Sequence, residues 1–224
     1  MGFRLPTDAP GLDQQQTDAG LNGAARAVRR SALAIALALG SVGLVACTNT
    51  PPQPVFADIS FRHLEPMQFA VSRVDVRNLH TPTFTAPNVE HEMPFPPSAV
   101  AQRWALDRLK ADGSGDLVMR VTIYDAAVTE KDLTVEKGLI GAFKTEQAER
   151  YDGALDVAIE IMDASGILLA HTSSKVWRHI TLAENASIND REQAWYALSE
   201  RMGQELDREL TAGLQNWMAA YQVQ

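Results

Sequence analysis

The sequence predicts an α+β domain of two layers. It is a four-stranded, mostly antiparallel sheet with two helices on one face, in the order β-α-β-β-β-α. Three observations carry this expectation. Leu117, Met119, Val121 and Ile123 alternate with Val118, Arg120, Thr122 and Tyr124, the period of a half-buried strand. Leu155, Val157, Ile159 and Ile161 alternate in the same way with Asp156, Ala158 and Glu160. Trp195, Leu198, Met202, Leu206, Leu210, Leu214 and Trp217 repeat at spacings of three and four, which is one face of a long helix.

The elements follow in order. Phe69 to Val76 alternates loosely and carries Val71, Val74 and Val76, a first strand. Asn78 to Pro97 holds five prolines and reads as an irregular stretch. Pro97-Ser98 opens a helix, because proline in the first turn gives up an N–H that has no partner there anyway. Val100, Ala101, Trp104, Ala105 and Leu109 fall on one face of it, and Asp112-Gly113 is its expected left-handed stop. The strand from Leu117 follows. An insert from Glu130 to Glu149 separates it from the strand at Leu155. Asp163-Ala164-Ser165-Gly166 is a turn, and Ile167 to Leu182 returns as a third clear strand. Ser187 and Asn189, with Asp190 and Glu192 three residues on, offer capping-box starts for the last helix. At about 45 Å it exceeds what the expected sheet needs, so its overhang is a candidate surface for a second copy of the chain.

Composition narrows the function classes. The 224 residues hold 20 Lys+Arg against 28 Asp+Glu, a net charge of −8, which argues against nucleic-acid binding. A single cysteine excludes a disulfide framework and a cysteine-based zinc site. The five histidines show no helix-face metal spacing, and Glu90-His91-Glu92 reads as a solvated loop. Gly-x-Ser-x-Gly elbows and phosphate loops are absent from the sequence. The expectation is a chain without enzymatic activity, catalytic residues, metal or cofactor.

The first 46 residues read as an address. Arg26, Arg29 and Arg30 precede an uncharged apolar run, Ser31 to Ala46, too short to span a bilayer, which needs about 20 residues. The lone cysteine closes that run. Leu44-Val45-Ala46-Cys47 resembles the bacterial lipobox. The resemblance implies cleavage after Ala46, with Leu44, Val45 and Ala46 read by the signal peptidase, and acyl chains on Cys47. Two or three acyl chains give stable anchoring where one does not. Thr48 stands where an Asp would favour inner-membrane retention, so the outer membrane is the favoured location. The expected division is 1–46 signal peptide with a polar leader, 47–57 lipidated cysteine and Pro-rich tether, and 58–224 periplasmic domain. Residues 47–224 carry 16 basic and 25 acidic side chains, so the acyl chains rather than charge would hold the protein to a membrane.

The insert has an apolar centre, Gly138-Leu139-Ile140-Gly141-Ala142-Phe143, between Lys137 and Lys144. Leu139, Ile140 and Phe143 are candidates for contact with lipid or a membrane-embedded partner; as a bland alternative, they fold back over the core. With a lipobox, a short tether and a β-α-β-β-β-α domain, the chain resembles small envelope lipoproteins of Gram-negative bacteria. These are the auxiliary lipoproteins of lipid-transporting ABC systems and the lipoprotein that plugs the lipopolysaccharide translocon. That resemblance implies an accessory in envelope assembly or lipid trafficking with an envelope protein partner. The alternative is a periplasmic module binding a lipid or small ligand between helices and sheet.

Overall fold

The computed structural model describes residues 55–133 and 147–223. The sheet is built outward from β6 (Gln147–Met162) and β7 (Leu168–Ala183), a hairpin of two 16-residue strands. Gly166 turns it with φ +85, in the Asp163–Gly166 turn that the sequence predicts. The other edge of β6 is occupied twice. β4 (Val118–Asp125) pairs with its C-terminal half and β5 (Val128–Asp132) with its N-terminal half, both antiparallel. The register shifts between Ile123 and Asp125, so one extended run is broken by a bulge near Tyr124. β2 (Arg73–Asn78) lies parallel to β4 and completes a five-stranded mixed sheet.

The expected four strands are therefore corrected to five, with a separate parallel pair of β1 (Met67–Phe69) and β3 (Leu109–Ala111). The expected first strand, Phe69–Val76, divides between β1 and β2. The first helix also ends differently. α1 (Pro97–Arg108) stops at Leu109, which is already extended, and Gly113 takes its positive φ after β3 rather than at the helix end. The tail pads β1 from the other side, with the Ala70 N–H donating to the Tyr221 carbonyl and the Val223 N–H to that of Gln68.

α2 (Ile188–Trp217) has the 30 residues expected of it. Its start is the Ser187 box, in which the Ser187 side chain accepts from the Asp190 N–H and the Asp190 carboxylate accepts from the Ser187 N–H. The expected overhang is not found. Thirty helical residues span about 45 Å and sixteen strand residues about 50 Å, and α2 is buried from Ala194 to Leu214 along this hairpin.

Both helices contribute to one core. Trp104 of α1 and Leu198, Met202, Leu206, Leu210 and Leu214 of α2 meet Met119, Val121, Ile123, Leu155, Val157, Ile159 and Ile161 of the sheet. Close approach is secured by glycine. A Cβ on Gly213 would lie 2.1 Å from Thr172 Oγ1, and one on Gly203 2.7 Å from Val100 Cγ1. α1 is tied to α2 by a buried polar cluster. Trp104 Nε1 and Arg108 Nε each donate to Asp207 Oδ1 at 2.8 Å, and Arg108 also reaches the Glu65 carbonyl.

Candidate functional site

Cys47, Leu44, Val45 and Ala46, and the insert residues Leu139, Ile140 and Phe143, lie outside the described residues. What surrounds them is defined. Val55 is 98% exposed, and the next residue is already docked. The Phe56 ring stacks on Tyr196 at 5.0 Å, and Phe95 meets the same ring edge-on at 5.6 Å. The last residues of the expected tether therefore pack on the first third of α2.

The base of the insert is fixed as firmly. Leu133 N–H donates to the Ala148 carbonyl at 2.7 Å, closing the β5–β6 ladder just inside the insert. Beside it, Tyr151 is fully buried against Trp195, ring centroids 5.7 Å apart. Its hydroxyl donates to Glu149 at 2.6 Å, and Arg191 of α2 donates to the same carboxylate at 2.6 Å. Burial acts to raise the Glu149 carboxyl, but these two donors outweigh it and hold the group below the usual carboxylate range. Burial, with the Glu149 hydrogen bond behind it, pushes the Tyr151 hydroxyl far up, so it stays a donor.

The Pro-rich stretch is an ordered strap along the outer edge of β5. Val89 N–H donates to the Val128 carbonyl and Glu130 N–H to that of Pro87, across a cis Ala86–Pro87 bond. These bonds cover a strand edge that would otherwise present unpaired backbone. Glu90 is its pin. It is 1% exposed and sits in a short 3-10 turn, Glu90–Glu92, which turns it inward while Glu92 faces out. Its carboxylate accepts from Val128 N–H at 3.2 Å, Thr83 N–H at 3.3 Å and Asn88 Nδ2 at 3.4 Å. Burial acts to raise Glu90 and the backbone donors lower it, with the donors prevailing. His80 lies between Glu90, at 3.6 Å, and Asp125, at 3.4 Å. Outside the strap is an open cleft of about 400 Å³, lined by Phe84, Asn88, His91, Glu92, Glu130 and Asp132. Among the described residues no group of three His, Cys, Asp or Glu side chains is placed to hold a metal.

Charged and aromatic side chains of the β6–β7 hairpin disperse. Asp156 pairs with Lys175 at 2.8 Å on the open face of the sheet. Trp177, on the same face, is 65% exposed, whereas Tyr151 is core. The space between the layers, where a ligand-binding module would hold its cargo, is filled by side chains such as Leu155, Ile159 and Leu206, at 0–1% exposure. The strap, its Glu90 pin and the Asp207 cluster were not foreseen from the sequence. Only the approach of α1 to α2 had a signal: Gly203, which costs about 1 kcal/mol in a helix and so marks a close contact, meets Val100.

No family model and no curated protein sequence matches the chain. Solved structures resemble it in part. Rare lipoprotein B from Shewanella oneidensis aligns over 64% of this chain and 95% of its own, at 11% identity and a TM-score of 0.32. A minor lipoprotein from Acinetobacter baumannii aligns over 68% and 96%, at 11% identity and a TM-score of 0.34. At such scores the functional reading rests on this chain's own residues.

Proposed function

We propose that the protein is a lipid-anchored envelope lipoprotein without enzymatic activity, held through acyl chains on Cys47, facing the periplasm and acting as an accessory in envelope assembly or lipid trafficking. The observation that carries this is the order of parts. Arg26, Arg29 and Arg30, an apolar run of signal length, Leu44-Val45-Ala46-Cys47 and a Pro-rich stretch precede in sequence a folded unit in which, among the described residues, Phe56 is the first docked side chain. No helix among the described residues is long and apolar enough to cross a membrane. Thr48 favours the outer membrane. The partner is an envelope protein; with α2 matched in length to its hairpin, the overhang that would have paired with a second copy is lost.

Leu139, Ile140 and Phe143 serve as an apolar contact to lipid or a membrane-embedded partner. In support, Leu133 and Ala148 close the fold at the base of this segment, so the β5–β6 ladder is complete without it. Replacing all three with Ser is expected to leave stability unchanged and weaken partner recovery; lost stability would assign them to the core instead.

The reading is tested by labelling cells with tritiated palmitate, for wild type and Cys47→Ser, followed by membrane fractionation and crosslinked pull-down. Label present in wild type, absent in the variant, and envelope proteins recovered is the expected result. Unlabelled wild type removes the reading. Organic extracts of the purified protein, analysed by mass spectrometry, test the ligand-carrier alternative, which requires a bound lipid or small molecule.

A further inference from the structure

We propose that the domain makes a second contact with the membrane through the hairpin tip Ile167, Leu168 and Leu169 together with Trp217, which rest in a lipid surface of zwitterionic headgroups. This rests on Cys47 being the anchor.

The four residues lie toward the same end of the fold. α2 returns antiparallel to β7, and Gly213 lies on Thr172. Trp217, one turn and about 6 Å further, comes level with Ala170, two residues inside the start of β7. Ile167, Leu168 and Leu169 are 59%, 51% and 43% exposed, and Trp217 is 71% exposed. Single exposed apolar residues are ordinary, but a run of three beside an exposed tryptophan marks an interaction surface.

The chemistry around them is that of a lipid contact. Residues 164–170 and 210–223 contain no Asp, Glu, Lys, Arg or His, in a chain that is 21% charged. Tryptophan with aliphatic neighbours is the pairing that settles at the boundary of headgroups and acyl chains. The charges beside the tip are mixed: Arg73, Arg77 and Arg120 line the same cleft as Asp75, Asp116, Asp163 and the turn residues Ala164 and Gly166. Asp112 and Asp116 are exposed in the β3–β4 loop, and the Asp163 carboxylate accepts from the Ser165 and Ile167 N–H groups of its own turn. Arg73, on the neighbouring edge strand, is already paired with Asp75. A balanced rim gives no pull toward anionic lipid, and residues 47–224 carry 25 acidic against 16 basic side chains, hence the zwitterionic surface.

Chain length puts that surface within reach. The eight steps of chain from Cys47 to Val55 span at most about 29 Å. Phe56 is docked on Tyr196, about 32 Å along the helix from Trp217. Chain length therefore does not keep an acylated Cys47 from the bilayer face that the tip would meet.

The test uses the full acylated protein in phosphatidylcholine vesicles with brominated acyl chains, which quench tryptophans at that depth. Wild type, Trp217→Phe and Trp177→Phe are compared, Trp177 being exposed on the open sheet face and Trp104 and Trp195 buried. Trp217→Phe is expected to abolish most of the quenching and Trp177→Phe to leave it. The triple change of Ile167, Leu168 and Leu169 to Ser, at positions already exposed, should abolish it with the circular dichroism unchanged. Adding phosphatidylglycerol should reduce it. Quenching unaffected by Trp217→Phe, with Trp217 accessible to aqueous iodide, overturns the inference, and concentration-dependent crosslinking through the tip would give that surface to a second copy. Failure of the protein to join the vesicles at all overturns the Cys47 anchor on which the inference rests.

Discussion

Gly213→Ala should destabilise the protein although helix propensity favours it. An alanine in a helix interior is worth about 1 kcal/mol over glycine. Here the added Cβ would stand 2.1 Å from Thr172 Oγ1 and 3.2 Å from Thr172 Cβ. Thr172 is buried on the helix-facing side of β7, and it is β-branched, so turning the hydroxyl away brings its methyl, now at 3.5 Å, toward the same point. Either the helix lifts off β7 or the strand bends. Overpacking of this kind costs about 1–3 kcal/mol, so the net loss reaches about 2 kcal/mol after the propensity gain. That corresponds to a fall in Tm of about 2–4 °C per kcal/mol for a unit of this size. Thr172→Ala removes both offending atoms and leaves only Cβ. In that background Gly213→Ala should be neutral or stabilising, a reversal of sign that a double-mutant cycle reads as coupling of about 1–3 kcal/mol. Urea denaturation followed by far-UV circular dichroism measures all four proteins. A Gly213→Ala protein more stable than its parent in the Thr172 background would refute the close contact.

Three further outcomes are expected. Asp207→Ala should cost about 3–5 kcal/mol, because it leaves the buried Arg108 guanidinium and Trp104 Nε1 without their shared acceptor; denaturant midpoints check it. Ser187→Ala should cost about 1 kcal/mol by removing the cap of α2, seen in the same assay. Glu90 and Glu149 are both held below their ordinary values, so each favours the folded state more as a carboxylate than the unfolded chain does. The stability they supply is present above the unfolded value near 4.5 and is lost as pH falls through their folded values. Thermal melts from pH 7 down to pH 3 should show that loss, and Glu149→Gln should make the acid limb shallower.

The parts of the fold visible in the sequence are those written in local pattern. The 30-residue helix with its Ser187–Asp190 box, the Gly166 turn and the alternation of Leu117–Tyr124 all depend on neighbours within a few residues. What stayed hidden depends on distant partners. β5 is Val-Thr-Glu-Lys-Asp, with one apolar residue, and is a strand only because β6 and the strap flank it. The first half of β6 carries Glu149, Arg150 and Asp152, whose charges mask the period, and ion pairs satisfy them only in the folded state. β1 and β3 are three residues each, too short for a period to register. Glu90 looked like one of two equivalent carboxylates around His91, and the 3-10 turn is what separates a buried pin from an exposed rim. The candidate anchor, Arg26 to Cys47, is proposed from linear sequence alone and lies outside the described residues.

The central claim is that Cys47 is the acylated end of the mature protein, and the most direct measurement is the intact mass of the protein extracted from membranes in detergent. The expected result is a chain starting at Cys47 with the added mass of a thioether-linked diacylglycerol and an amino-terminal acyl chain. A chain that keeps Ala46 on its amino-terminal side, with an unmodified Cys47 thiol, would contradict it.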